Sequence, residues 1–136
     1  MLMDLDHYKR VNDRHGHACG DAMLCQLVDL IQSRLRNSDV LARLGGEEFV
    51  VLLPETGLEA ARALADRLRQ AIADQPFAHN ATLVSLTASW GVATARADDE
   101  DIDTVLNRAD RALYAAKDGG RNRVNVEAEE ATDLKA

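Results

Sequence analysis

A chain of 136 residues, 46% hydrophobic and 29% charged, is long enough for one domain with a packed core. Its net charge of −7 argues against a binder of nucleic-acid polymers. No apolar run approaches the roughly 20 residues that span a bilayer. Asp4 and Asp6 interrupt the N-terminal apolar stretch at once, so no signal peptide is read. The expected location is the cytoplasm, without membrane contact by this domain; a membrane-anchored parent protein is compatible with that. The two cysteines lack CxxC spacing, which favours reduced thiols over a metal site or a disulfide, with Cys25 packed and Cys19 in a loop.

In chain order, Met1 to Leu5 reads as a short apolar strand that starts abruptly. Asp4 and Asp6 share one face if the strand persists, and like charges held together there repel unless a cation sits between them. If instead the strand ends at Asp4, both acids are solvated. His7 to Gly20 is rich in turn formers and reads as loop, with His15 and His17 as hydrogen-bonded loop residues more than metal ligands. From Asp21 to Arg36, Met23, Leu24, Leu27, Leu30, Ile31 and Leu35 recur at helical spacing.

Val40 to Leu53 reads as a hairpin around Gly45-Gly46, closed by Pro54. Glu47 and Glu48 follow the turn, and alternation sends one of them where the other does not point. Thr56-x-x-Glu59 has the form of a capping box and opens a helix to about Ala73. Asp74 to Asn80 is a connector. Thr82 to Ala95 reads as a strand with Trp90 in the core and Gly91 at a bulge or close approach. Ile102 to Ala116 carries a third helical pattern that Gly119-Gly120 ends. Arg121 to Val126 is a last short strand, and an acidic, Ala-rich tail from 127 to 136 is expected to fray.

This order, with a hairpin between helices, implies an α+β domain over residues 1–126: a mixed or antiparallel sheet with helices packed on it. Taken one at a time, the charged residues are bland. Glu47 and Glu48 suit a solvated hairpin tip, Arg36 and Asp39 a local ion pair, and Lys117 a helix C-terminus.

Their combination is not bland. Met3-Asp4-Leu5-Asp6-His7-Tyr8-Lys9, then Asn12, Gly16, His17, Gly20 and Asp21, then Gly45-Gly46-Glu47-Glu48-Phe49, resemble the GGDEF domain family, the diguanylate cyclases, in its GGEEF form. The resemblance runs from residue 1 to about residue 126. Members normally open with a helix and an Asp-x-Leu-Thr turn before the first strand. Neither is present, so the chain reads as N-terminally truncated and without an upstream sensory domain.

The resemblance implies a palm-like sheet related to nucleotidyl cyclases and polymerases, and condensation of two GTP into cyclic di-GMP and two pyrophosphates by a homodimer. It implies Mg²⁺ or Mn²⁺ on Asp4, the Leu5 carbonyl and Glu47, with Glu48 as a partner acid. Asn12 and Asp21 resemble the guanine readers; Gly45 and Gly46 leave room for base and phosphates; Lys117 and Arg121 resemble the phosphate contacts. Arg36-x-x-Asp39, with Arg67, resembles the product-binding inhibitory site. The alternative is a silent module that binds cyclic di-GMP through those three residues. Tyr8 stands where Phe is common in the family.

Overall fold

The computed structural model describes residues 1–128. The elements are β1 (Leu2–Leu5), α1 (Tyr8–His15), α2 (His17–Gln32), β2 (Val40–Gly45), β3 (Glu48–Leu52), α3 (Leu58–Asp74), β4 (Phe77–His79), β5 (Thr82–Val84), β6 (Ala88–Val92), α4 (Ile102–Asp118) and β7 (Val124–Val126). Five strands form one sheet in the order β2-β3-β1-β6-β7, and β4-β5 form a separate two-stranded hairpin. Within the large sheet only β6 and β7 run parallel. The α+β reading with a mixed sheet therefore holds.

Strand alternation explains how helices cover both faces. Met3, Phe49, Val51, Trp90 and Val92 share a core with Leu27 and Ile31 of α2 and with Leu68 and Ile72 of α3. The opposite parity, Leu2 and Val50, packs on Ala109 and Leu113 of α4. Asp4 has the parity of Leu2 and Glu48 that of Val50, so both acids lie on the α4 face at one end of the sheet. Gly91 is the close approach that its sequence hinted at: a Cβ there would collide with the Ala109 carbonyl of α4.

Several local expectations are corrected. His7 to Gly20 is two helices rather than loop. Tyr8 and Val11 bury one side of α1, and Gly16, at φ 87°, breaks the chain before α2 starts at His17. Cys19 is consequently buried inside α2, whereas Cys25 is exposed on its outer side. The segment from Thr82 to Ala95 is not one strand, because residues 85–87 turn the chain from the small hairpin into β6. The connector from Asp74 to Asn80 contributes β4 to that hairpin.

Thr56 does not cap α3. Gly57 holds the N-cap position, and the Thr56 hydroxyl donates to the Pro54 carbonyl at 2.9 Å. The expected fraying fails at its first residue: the Glu127 carboxylate accepts from Arg96, from Arg108 and from the Thr94 amide. The remainder of that tail, from residue 129, lies outside the described residues.

Candidate active site

Three features converge at the end of the sheet. The first is the β2–β3 turn. Gly46 sits at φ 46°, in the left-handed region, and Arg43 Nε donates to its carbonyl at 2.8 Å, which fixes the turn against β2. The second is the last residue of β1. The Leu5 amide donates to the Glu47 carbonyl at 3.2 Å, while Asp4 pairs in register with Glu48. The third is the end of α4, where Lys117 Nζ donates to Asp4 Oδ2 at 2.5 Å across 113 residues of chain. Asp4, Glu47, Glu48 and Lys117 are thus brought together.

The electrostatics follow from that crowding. Burial pushes the Asp4 carboxyl above its ordinary value, the bond and charge of Lys117 oppose the shift, and the charges of Glu47 and Asp6 add to it. Burial likewise raises Glu48, with the negative charges of Asp4 and Asp110 reinforcing it and Lys117 working against it. On the other side of the turn, burial raises the Tyr8 phenol, with the neighbouring Asn12 side chain opposing the shift, and that phenol feels Asp21, Arg43 and Glu47. Glu48 pairs in register with Asp4 on the α4 face, while the charge of Glu47, in the turn before β3, is felt both by Asp4 and by Tyr8 of α1.

Asn12 and Asp21 flank the α1–α2 junction. The pair of helices meets at Gly20, where a Cβ would collide with Asn12 Oδ1 and with the Tyr8 hydroxyl. Asn12 Oδ1 is buried and has no hydrogen-bond partner among the described residues. Asp21 is exposed. Arg121 follows α4 at φ 65°, its amide donating to the Ala116 carbonyl at 3.0 Å, and its side chain makes no hydrogen bond among the described residues.

Asp6 is the residue that sequence reasoning undervalued. It is not in β1 and not solvated; it is 5% exposed just past the strand. Its carboxylate accepts from Thr87 Oγ1 at 2.6 Å, Ser89 Oγ at 2.7 Å and the Asn122 amide at 3.0 Å. It thereby ties the β1–α1 corner to β6 and to the turn that carries Arg121. The like-charge conflict with Asp4 was the available signal, but nothing local in the chain points to residues 87, 89 and 122.

Arg36, Asp39 and Arg67 occur together elsewhere, lining a cavity of about 210 Å³ with Leu53, Thr56 and Leu64. Arg36 Nη2 bonds Asp39 Oδ1 at 2.9 Å, Thr56 Oγ1 at 2.8 Å and the Pro54 carbonyl at 3.1 Å. The Arg36 guanidinium holds the Asp39 carboxyl below its usual range. The arginine is thus aimed by the chain itself, with Thr56 serving it instead of capping α3.

The donor chemistry at the sheet end fits a hard divalent cation. Asp4 lies close enough to Glu47 to feel its charge, the Leu5 amide bonds the Glu47 carbonyl, and the three acids outnumber the single charge of Lys117. Among the described residues no group of three or more His, Cys, Asp or Glu gathers as a ready-made metal cage. An ion held there would complete its shell from water or a ligand's oxygens.

The family model described as diguanylate cyclase, GGDEF domain, matches residues 1–123. The chain is 50% identical over 125 residues to diguanylate cyclase DgcP of Pseudomonas aeruginosa, covering 92% of this chain and 18% of that protein. It is 40% identical over 126 residues to diguanylate cyclase A of Treponema denticola, covering 93% and 34%. The chain spans about a third or less of the length of these relatives. Among solved structures, the active GGEEF domain of a diguanylate cyclase from Vibrio cholerae aligns with a TM-score of 0.87 at 37% identity, covering 95% of this chain and 81% of that one. The GGDEF domain of DgcB from Caulobacter crescentus, in complex with c-di-GMP, aligns with a TM-score of 0.86 at 31% identity, covering 92% and 74%.

Proposed function

The chain belongs to the GGDEF-domain family of diguanylate cyclases, and on that premise we propose that it condenses two GTP into cyclic di-GMP and two pyrophosphates. One observation carries the reading. The end of β1 and the acids after Gly45-Gly46 meet, through the Leu5–Glu47 hydrogen bond and the Asp4–Glu48 register, beside a lysine from α4.

In this reading Asp4, Glu47 and the Leu5 carbonyl hold Mg²⁺ or Mn²⁺. The ion would lower the pKa of the attacking 3′-hydroxyl and offset charge on the leaving pyrophosphate. Glu48, on the α4 side, receives the hydroxyl proton as the 3′-oxygen attacks the α-phosphorus and the bond to pyrophosphate breaks. Lys117 and Arg121 bind phosphate oxygens, Arg121 being aimed by the turn that Asp6 holds. Asn12 and Asp21 read guanine. The partnerless Asn12 Oδ1 suits a donor on the base, and the Asp21 carboxylate can accept hydrogen bonds from the base's N1–H and N2–H. Gly45 and Gly46 keep side chains out of the space above the turn.

One domain binds one GTP, so two copies face each other to close both phosphodiester bonds. The domain then works where GTP is made, in the cytoplasm; none of the helices among the described residues is long and apolar enough to cross a membrane. Product returns to Arg36, Asp39 and Arg67, whose shared cavity offers guanidinium groups to phosphate and guanine.

The test is incubation with GTP and Mg²⁺ at several protein concentrations, with the nucleotides separated afterwards. Cyclic di-GMP should form at a rate per chain that rises with concentration, and Glu47→Gln should abolish it while the circular dichroism spectrum is kept. Added cyclic di-GMP should slow the parent chain but not Arg36→Ala. Full synthesis by Glu47→Gln would end the proposal.

A further inference from the structure

On the flank of α1 opposite Asn12 there is a second cavity, of about 350 Å³, that the proposed reaction does not use. Its α1 wall carries His7, Arg10 and Arg14, spaced three and four residues apart so that they form one stripe. His15 stands at the far end of the same wall. The facing wall is the segment 85–87, which belongs to neither flanking strand.

Two features mark this cavity as an anion receptor. Neither Arg10 nor Arg14 has an ion pair or side-chain hydrogen bond among the described residues, although the chain as a whole carries −7. Asp6, the acid that lines the cavity, makes no ion pair with either arginine; its oxygens accept from Thr87, Ser89 and the Asn122 amide instead. Across the cavity, the amides of Ser85, Leu86 and Thr87 donate to no protein acceptor among the described residues. Guanidinium groups opposite free main-chain donors are the chemistry that binds phosphoryl oxygens.

We propose that this cavity binds a phosphorylated small molecule, gripped between Arg10 and Arg14 and the 85–87 segment. The binding does not depend on the cyclase reading.

The probe is inorganic pyrophosphate, titrated without divalent metal into the ¹⁵N-labelled chain and followed by heteronuclear NMR. Saturable shifts are expected at Arg10, Arg14, Ser85, Leu86 and Thr87, separate from any at Lys117 to Arg121. Arg10→Ala and Arg14→Ala should each weaken that set by about tenfold while leaving the Lys117–Arg121 set unchanged. Arg10→Lys should retain more of the affinity than Arg10→Ala. Absence of saturation at residues 85–87, or equal affinity in the Arg10→Ala/Arg14→Ala double variant, would overturn the proposal. Loss of cyclase activity in the separate GTP assay would leave this result standing.

Discussion

Replacing Asp6 by alanine tests whether one buried carboxylate organises the sheet end. The side chain is 5% exposed and accepts three hydrogen bonds, from two hydroxyls and one amide. A hydrogen bond to a charged group contributes about 1.5 kcal/mol or more net, and an orphaned buried donor costs about 1–3 kcal/mol. The Thr87 and Ser89 hydroxyls can rotate to other acceptors; the Asn122 amide cannot. Removal of the buried charge itself gives something back. The expected loss is therefore about 3 kcal/mol, below the simple sum. At this length about 3 °C in Tm accompanies each kcal/mol, so the midpoint should fall by roughly 10 °C.

The assay is urea unfolding with the slope held constant, paired with hydrogen exchange at the Asn122 amide. Thr87→Val and Ser89→Ala should each cost about 1 kcal/mol in the parent and almost nothing once Asp6 is gone. The Asn122 amide should lose protection in Asp6→Ala before the rest of the sheet does. A loss under about 1 kcal/mol, or an Asn122 amide as protected as before, refutes the view that Asp6 anchors the turn carrying Arg121.

Two further outcomes follow from contacts of equal definition. Gly20→Ala should drive Asn12 and Tyr8 from the α1–α2 junction, costing about 1–3 kcal/mol and raising the KM for GTP far more than it lowers kcat; unchanged KM would remove Asn12 from base recognition. Asp99 is held at about 2 by its bonds to Arg108, so its contribution to stability is present above the ordinary carboxylate range and is lost as pH falls from about 4 towards 2. Asp99→Asn should be less stable than the parent at pH 7, with the difference closing over that interval; a difference that persists at pH 2 would show that the ion pair is not its source.

The parts of this fold legible in the sequence were those with periodic burial or turn chemistry. The α2, α3 and α4 faces, the Gly45-Gly46 hairpin and the core position of Trp90 all follow from spacing. What escaped were elements decided by tertiary contact. The α1 helix is only eight residues long, and its turn formers outweighed the buried pair Tyr8 and Val11. Thr56 looked like a cap, yet a guanidinium 20 positions earlier claims its hydroxyl. Asp6 looked solvated because all three of its donors are at least 81 residues away. The carboxylates of the site were legible only as a family pattern. Spacing gives no reason for Asp4 to meet Lys117, and only the antiparallel placement of β1 between β3 and β6, with α4 across it, supplies one.

That placement has a cost which can be measured directly. Glu48 stands half-buried beside Asp4 and within reach of Asp110, with Lys117 as the nearby positive charge, and its side chain accepts no hydrogen bond among the described residues. Burial raises its pKa, with those like charges adding to the effect. A raised folded-state pKa in an acid means that the ionised form opposes folding at neutral pH and that the opposition fades as pH falls through that raised value. Glu48→Gln keeps the shape and removes the charge, so the metal-free chain in a chelator should unfold at a slightly higher temperature than the parent at pH 7. The two midpoints should converge towards pH 4. Because the group is partly solvated, the gain should be small. The same variant should lose synthesis, since the charge that burdens the empty fold is the one asked to take the hydroxyl proton. A Glu48→Gln chain less stable than the parent at pH 7, or a gap that does not change with pH, would mean that the acids at the sheet end are not in conflict and need no cation to reconcile them.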